Sequence, residues 1–214
     1  MNPYSYTNNQ PRPALSLQQT TARWRRYAVD FPSAHPTRYE ENNTVRGEYF
    51  QPRHADKAPL VILSHGMGDE LLIPGKFLAR ALVREGIACF IIYSIFHSRR
   101  MPETVRKRLP VLTPEEWFEN YRISVIDVRQ VVDWASRRSE LNEKKVGPVL
   151  MLNASWDEYI PKESTLDFRE ACGKPPITWF PATHATIWLW YPLIRRNITR
   201  FLRSTLEMRD GHGR

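Results

Sequence analysis

The sequence predicts an α/β protein in which a mostly parallel sheet carries helices on both faces. Two kinds of segment predict this class. Continuously apolar runs such as APLVILSHG and IACFIIYSI indicate strands that are buried on both faces, as in parallel sheets. Segments with helical spacing alternate with these runs, which is typical of proteins built from strand, helix and strand in turn. In such sheets ligands bind at the carboxyl ends of the strands.

The first half of the chain predicts an outer hairpin, followed by two buried strands with a helix between them. WRRYAVDFP and NNTVRGEYFQP show the rough alternation of paired outer strands. The helix lies in IPGKFLARALVREG, where Gly86 is placed to end it. Its predicted apolar face consists of Phe77, Leu78, Ala81 and Leu82.

A long capped helix is predicted after Thr113. Thr113 is the N-cap, Pro114 stands in the first turn, and Glu116 completes a capping box. Apolar residues then repeat at helical spacing and predict the buried face: Trp117, Tyr121, Val125, Val128, Val132 and Ala135. The order that follows is strand GPVLMLNAS, helix KESTLDFREACG, strand PPITWFPAT and a last helix through IWLWYPLIRRNITRFLRSTLEM.

Length and composition predict one domain. A chain of 214 residues, 42% of them hydrophobic, can bury one core of good size, so we expect a single domain over residues 23–209 and a short tail at 210–214. Residues 1–22 are polar and rich in Pro, Asn and Gln, which predicts a disordered leader. This leader lacks the apolar stretch of a secretory signal, and no window reaches the roughly 20 apolar residues of a membrane span. We expect a cytoplasmic protein with no membrane partner.

The net charge of +8 raises the question of a nucleic-acid partner. The basic runs RWRR, HSRRMPETVRKR and RRNITRFLR carry no recognition signature, so a solvated basic surface is the preferred interpretation. The two cysteines, Cys89 and Cys172, give neither a disulfide framework nor the spacing of a metal site. We therefore expect no nucleic acid, no metal and no cofactor.

Three short segments follow predicted strands, at the positions where a parallel sheet places its chemistry. They are 64-SHGMG-68, 156-WDEYIP-161 and 183-THA-185. In this order the pattern resembles the α/β-hydrolase family, on its dienelactone hydrolase and small esterase side, over roughly residues 24–208. The resemblance implies a serine hydrolase of carboxylic esters or related acyl compounds.

The resemblance also implies a role for each segment. His65, Gly66, Met67 and Gly68 match the family's H-G-x-G turn, in which Gly66 and Met67 form the oxyanion hole and the Met67 N–H stabilises the developing negative charge. Asp157, with Ile160 and Pro161 after it, matches the acid that orients the base, and His184 matches that base. Each residue could instead have a purely structural role: His65 as a polar residue at a strand end, Asp157 as a turn or helix-capping carboxylate, and His184 as a helix cap.

The chain departs from the family at the nucleophile. The family's serine stands in a G-x-S-x-G elbow after its fifth strand, and this sequence contains no such elbow. By this resemblance, Lys145, Val146 and Gly147 match the start of the family's fifth strand, whereas Pro148 already matches its seventh strand. The resemblance therefore implies that a block of the family's sequence is missing near Gly147. Ser155 is a poor replacement because it lacks flanking glycines. The nucleophile is therefore unknown, and a truncated α/β-hydrolase fold with little or no turnover is expected.

The missing block also predicts exposed strand edges. Central strands without neighbours favour self-association. The alternative to an impaired hydrolase is a non-catalytic α/β-hydrolase-like module that binds a partner through an apolar edge and a basic surface.

Overall fold

The computed structural model describes residues 4–7, 13–64, 71–107, 112–142, 149–158, 162–171 and 173–210. The chain divides into two compact units, Met1–Lys144 and Lys145–Arg214, and each is described by itself. The boundary falls within residues 143–148, where the missing block is predicted; these residues lie outside the described part. The single domain over residues 23–209 and the tail at 210–214 stay predictions.

The first unit is built on a five-stranded sheet in the order β1-β2-β3-β5-β4. The strands are β1 (Ala14–Thr20), β2 (Trp24–Pro32), β3 (Thr44–Pro52), β4 (Leu60–Leu63) and β5 (Ala88–Ile92). Three of the four pairings are antiparallel and only β4 pairs with β5 in parallel. The α/β class is confirmed, but the mostly parallel sheet is wrong. The short connections from β1 to β2 and from β2 to β3 lack the long crossover that a parallel pairing requires.

The prediction of a disordered leader over residues 1–22 is wrong for its described part. Strand β1 pairs along its length with β2, although nearly all of its side chains are exposed. Nearer the start of the chain, Arg129 Nη1 donates to the Tyr4 carbonyl at 2.6 Å, and the Tyr6 hydroxyl bonds Asp133. Composition did not predict this strand, because backbone hydrogen bonds to β2 hold it in place and burial of apolar side chains contributes little.

The α-helices in the described residues of this unit are α1 (Ile73–Arg84), α2 (Glu103–Arg106) and α3 (Pro114–Ala135). The predicted end of α1 is confirmed, since Gly86 adopts a φ of 81° just after it. The capping box of α3 is also confirmed, with both Thr113–Glu116 hydrogen bonds present.

The predicted apolar faces of these helices are only partly correct. In α1, Phe77 is 55% exposed, and the buried residues are Ala79, Leu82 and Val83. In α3, Tyr121 is 63% exposed and Val125 is also exposed. The face that α3 buries mixes apolar and polar residues: Asn120, Ile123, Ile126, Asp127, Gln130, Val131 and Trp134.

The core of the first unit forms where α3 packs on the sheet. Trp134 makes edge contacts with Tyr49 of β3 and Phe90 of β5, at centroid distances of 5.1 and 5.5 Å. Beside it lies a fully buried ion pair, Arg100 Nη2 to Asp127 Oδ2, at 2.8 Å. Burial raises the pKa of the Asp127 carboxyl, and the Arg100 charge opposes that shift.

A single parallel β-bridge lies just before β4. The Ala58 N–H donates to the Glu140 carbonyl and the Asn142 N–H donates to the Ala58 carbonyl, both at 2.9 Å, which forms a parallel bridge between Ala58 and Leu141. The next carbonyl, of Pro59, accepts from β5 instead. Backbone groups of successive strand residues point to opposite edges of a strand. Because Pro59 faces β5, Ala58 faces the other way, and the chain after α3 therefore lies on the side away from β5.

The second unit has a two-stranded parallel sheet of β6 (Met151–Ala154) and β7 (Ile177–Phe180). Its helices are α4 (Lys162–Ala171) and α5 (Tyr191–Asp210), and a 3-10 turn at Ile187–Trp190 precedes α5. The elements predicted for this half are thus confirmed. Phe180 and Trp190 pack in its small core with tilted rings whose centroids lie 6.0 Å apart. Within the described residues of the whole chain, no helix is both long and apolar enough to cross a membrane.

Candidate active site

The parallel pairing of β6 and β7 brings the ends of two strands together in the second unit. Beyond the strands the pairing continues: the Ser155 N–H donates to the Phe180 carbonyl at 2.8 Å and the Trp156 N–H to the Ala182 carbonyl at 3.0 Å. The residues that come next, Asp157 on one side and His184 on the other, therefore lie at the same edge of the sheet.

Asp157 and His184 form a hydrogen-bonded pair at that edge. The distance from His184 Nδ1 to Asp157 Oδ2 is 2.9 Å. The carboxylate side chain is 14% exposed and the imidazole 51% exposed. With Nδ1–H donating to the carboxylate, the neutral ring carries its basic lone pair on Nε2. The arrangement thus provides an oriented imidazole that can accept a proton.

Glu158 is a site residue that the sequence analysis missed. Its Oε2 accepts the backbone N–H of His184 at 3.0 Å, so both carboxylates of the Asp157–Glu158 pair hold the histidine loop. A turn fixes the other side of the loop, where the Thr183 N–H donates to Thr186 Oγ1 at 2.9 Å. The available signal in the sequence was a pair of adjacent acidic residues after a strand, and only the first of them was assigned a role.

The other predicted site residues lie outside the described part of the chain. These are the oxyanion turn, His65, Gly66, Met67 and Gly68, and the residues after Asp157, Ile160 and Pro161. The roles of the oxyanion residues stay predictions.

Solved structures share this architecture. The first comparison is with a cold-adapted esterase from an Arctic intertidal metagenomic library. In its PEG-bound complex that esterase superposes with a TM-score of 0.62 at 14% identity, over 90% of this chain and 98% of the esterase. Its native structure gives a TM-score of 0.57 at 13% identity over the same shares. TT1662 from Thermus thermophilus gives 0.53 at 18% identity, over 76% of this chain and 94% of its own.

The chain has an α/β-hydrolase-like fold. That conclusion comes from three-dimensional likeness, because no protein-family model and no curated protein sequence matches the chain. The fold predicted from the three strand-end segments is thereby confirmed.

Two further side chains with reactive groups, Cys89 and His97, are buried in the first unit. Cys89 lies fully buried in β5, and burial raises the pKa of its thiol, so it is core, as the apolar strand around it predicts. His97 is buried, with its Nδ1 3.0 Å from the Ile95 carbonyl oxygen. No cluster of three metal-ligating side chains occurs among the residues that the structure describes.

Proposed function

We propose that this α/β-hydrolase-like chain derives from serine hydrolases of carboxylic esters or related acyl compounds. In this proposal Asp157 orients His184, and His184 serves as the general base. The observation that carries it is the 2.9 Å bond between His184 Nδ1 and Asp157 Oδ2 at the carboxyl ends of two parallel strands. The esterase likeness of the fold supports the same reaction class.

The chemistry of the pair is that of acyl transfer. A carboxylate that accepts from Nδ1–H fixes the tautomer and stabilises the imidazolium that forms when Nε2 takes a proton from a hydroxyl nucleophile. In the H-G-x-G turn that the family resemblance implies for His65, Gly66, Met67 and Gly68, the Met67 N–H is the proposed donor to the oxyanion on the attacked carbonyl. Two glycines in this short turn suit a backbone that approaches substrate closely.

We further propose that the chain lacks its nucleophile and turns over esters little or not at all. The sequence has no G-x-S-x-G elbow. The parallel bridge between Ala58 and Leu141 supports this proposal, because it places the chain after α3 beside the start of β4, where the family's nucleophile strand would begin. Removing a triad nucleophile lowers turnover by a factor on the order of 10⁶.

Hydrolysis of p-nitrophenyl acetate by the purified 214-residue chain tests this proposal. The matched variants are His184→Ala and His54→Ala, since His54 is an exposed histidine of the first unit whose Nε2 lies 3.1 Å from the Ala22 carbonyl oxygen. We expect the three proteins to give equal rates close to that of buffer. A rate that His184→Ala abolishes and His54→Ala leaves intact would show a working nucleophile.

The second candidate function is a non-catalytic module that binds a partner or a second copy. Exposed apolar side chains favour it, including Phe118 and Tyr121 on α3 at 58% and 63% exposure. Within the described residues of the first unit, Leu60–Leu63 of β4 pair with β5 along one edge. Light scattering across a concentration series tests this function: growth in size supports it, and a monomer at every concentration counts against self-association.

A further inference from the structure

The first unit has a surface groove of about 570 Å³ that the proposed function does not use. One wall is formed by residues between 19 and 24, where β1 ends, turns and leads into β2. The other wall is formed by Arg80 and Arg84 in the second half of α1. The volume lies within the roughly 300–1,000 Å³ that is usual for small-molecule sites.

Hydrogen bonds fix the wall at the β1–β2 turn. Thr21 Oγ1 accepts the backbone N–H of Trp24 at 3.0 Å, and the Thr21 N–H donates to the Trp24 carbonyl at 2.9 Å. From just beyond β3, Arg53 Nη1 donates to the Thr21 carbonyl at 3.1 Å, and the Arg53 N–H donates to the Arg23 carbonyl at 2.9 Å. The backbone that carries Arg23 is therefore held from two sides.

Burial fixes the wall at α1. Ala79, Leu82 and Val83 on the inner face of this helix are at most 1% exposed. Arg80 and Arg84 are four residues apart and therefore share one face of the helix. Arg80 is half-buried and Arg84 is exposed. Fixed backbone segments on both sides thus carry the three arginine side chains that line the groove.

The lining of the groove carries positive charge without compensation. Three arginines line it, Arg23, Arg80 and Arg84, and no acidic residue does so among the residues that the structure describes. Within the same described part of the chain, the three guanidinium groups have neither a hydrogen bond nor an ion pair with the protein. Their N–H donors are therefore available to a ligand.

Elsewhere in the first unit, basic side chains lie beside carboxylates. Lys76, one turn before Arg80 in α1, has its Nζ 3.2 Å from Glu48 Oε1. The arginines with carboxylate partners are Arg26, Arg38, Arg100, Arg106, Arg122 and Arg138. Like charges four residues apart on a helix repel each other. An anion from solution would relieve this repulsion in the groove.

The chemistry of arginine favours a phosphate group as that anion. A guanidinium group is planar and always charged, and it donates two parallel N–H bonds to two oxygens of one phosphate. A phosphomonoester has three acceptor oxygens and a charge of about −1.5 to −2 at neutral pH, so several arginines can bind it together. A carboxylate has one charge and two oxygens, and it would satisfy fewer of these donors.

We propose that this groove binds the phosphate group of a small phosphomonoester. Arg80 and Arg84 donate from α1 and Arg23 donates from the turn, so the phosphate is held between the two walls. A polynucleotide would instead need a series of phosphate contacts along an extended surface. The inference does not rest on the proposed hydrolase chemistry, and either proposal can fail without the other.

Amide NMR titration of the ¹⁵N-labelled full chain with phenyl phosphate, at constant ionic strength, tests the site. Inorganic phosphate, benzoate and a short single-stranded DNA are the comparison anions. We expect phenyl phosphate to shift the amide resonances of residues 19–24 and 80–86, and to bind about tenfold more tightly than benzoate. Inorganic phosphate should shift the same resonances with an affinity within about threefold of that of phenyl phosphate.

Five variants separate the contributions. Arg23→Gln, Arg80→Gln and Arg84→Gln should each weaken phenyl phosphate binding about tenfold, because each removes a charged donor. Arg84→Lys keeps the charge without the two parallel donors, so it should restore only part of the affinity. Arg137→Gln, at an exposed arginine of the first unit outside the groove, is the control and should change the affinity by less than about twofold.

Unfolding of the ligand-free variants shows whether a weaker affinity comes from damage to the fold. Because the three arginines have no partner among the described residues to lose, each glutamine variant should unfold at a midpoint equal to or above that of the native chain. Full affinity in all three glutamine variants would overturn the proposal, whatever their stability.

Four other outcomes would also overturn it. Equal losses in Arg84→Gln and Arg137→Gln would assign the effect to net charge. Absence of saturation at tens of millimolar phenyl phosphate would mean that the arginines are only solvated. Much tighter binding of inorganic phosphate than of phenyl phosphate would mean that the groove takes the free ion. Tighter binding of DNA, with shifts that extend along β2 beyond residue 24, would assign the surface to nucleic acid.

Discussion

His184 Nδ1 lies 2.9 Å from Asp157 Oδ2, and the backbone N–H of the same histidine donates to Glu158 Oε2 at 3.0 Å. Adjacent carboxylates thus hold one histidine by two different groups. The Asp157 bond orients the ring, whereas the Glu158 bond positions the loop that carries it. These two functions can be separated by mutation.

Asp157→Ala should change the tautomer of the His184 ring. In the native chain the carboxylate selects the form with hydrogen on Nδ1, and without it the neutral ring should shift toward the form with hydrogen on Nε2. Long-range ¹H–¹⁵N correlation spectra of the ring nitrogens measure this directly. Glu158→Ala is the matched control: the ring pattern should persist while the His184 backbone amide shifts. An unchanged ring in Asp157→Ala would mean that the bond does not set the tautomer.

Asp127→Ala should destabilise the first unit strongly. It leaves the fully buried Arg100 guanidinium without its counter-charge, although Arg100 still donates to the Asn42 carbonyl at 2.7 Å. Loss of one partner of a buried pair costs about 3–5 kcal/mol in the free energy of unfolding. Urea unfolding gives the value, with the exposed Asp56→Ala as a control expected within about 0.5 kcal/mol of the native chain.

The double replacement Arg100→Met with Asp127→Leu should regain only part of that loss, because apolar groups need no counter-charge but the Tyr93 and Asn42 carbonyls lose their Arg100 donor. If Asp127→Ala alone lowers the free energy of unfolding by less than about 1 kcal/mol, the Arg100 charge is compensated by other groups.

Glu48→Gln should reduce stability at neutral pH and lose its effect in acid. Burial favours the neutral form of this β3 carboxyl, but hydrogen bonds from Arg26 and Tyr93, both at 2.9 Å, and the nearby Lys76 charge prevail, so its pKa is lowered. A lowered folded pKa stabilises the fold above the ordinary pKa of the group and ceases to do so as pH falls through the lowered value.

We therefore expect Glu48→Gln to cost about 1–3 kcal/mol at pH 7 and progressively less below pH 4.5. Chemical unfolding at a series of pH values gives the comparison, with the exposed Glu41→Gln as control. A difference that stays constant down to pH 2 would rule out the ionised carboxylate as its source.

Gly47→Ala and Gly75→Ala should have opposite effects. A Cβ at Gly47 would meet the Phe90 ring and lie 2.7 Å from the Ile91 carbonyl oxygen, between β3 and β5. A Cβ at Gly75, inside α1, would meet nothing nearer than 3.8 Å. We expect a loss of about 1–3 kcal/mol at Gly47 and a gain of up to about 1 kcal/mol at Gly75. Equal effects in thermal unfolding would contradict the close approach of the two strands.

The sequence predicted best the features that depend on local order. The capping box at Thr113 and Glu116 needs only three residues of spacing. Asp157 and His184 were selected because each follows a point where an apolar run stops and matches the acid or base of the family that the chain resembles. Parallel pairing brings these two strand ends together, and the catalytic roles stay proposals.

Features that depend on distant partners were not predictable. Helix α3 buries Asp127 and Asn120, which a hydrophobic pattern assigns to solvent; Asp127 is buried because Arg100, in another segment, accompanies it. The exposed strand β1 was missed for a related reason, since its partner groups lie on β2 and not in its own sequence.

The most direct test of the central claim, an oriented Asp157–His184 pair without its nucleophile, is labelling of the folded 214-residue chain with a fluorophosphonate probe, followed by mass spectrometry of its peptides. The account predicts no labelled serine in a chain that unfolds cooperatively. Labelling of one specific serine that is lost on His184→Ala would contradict it.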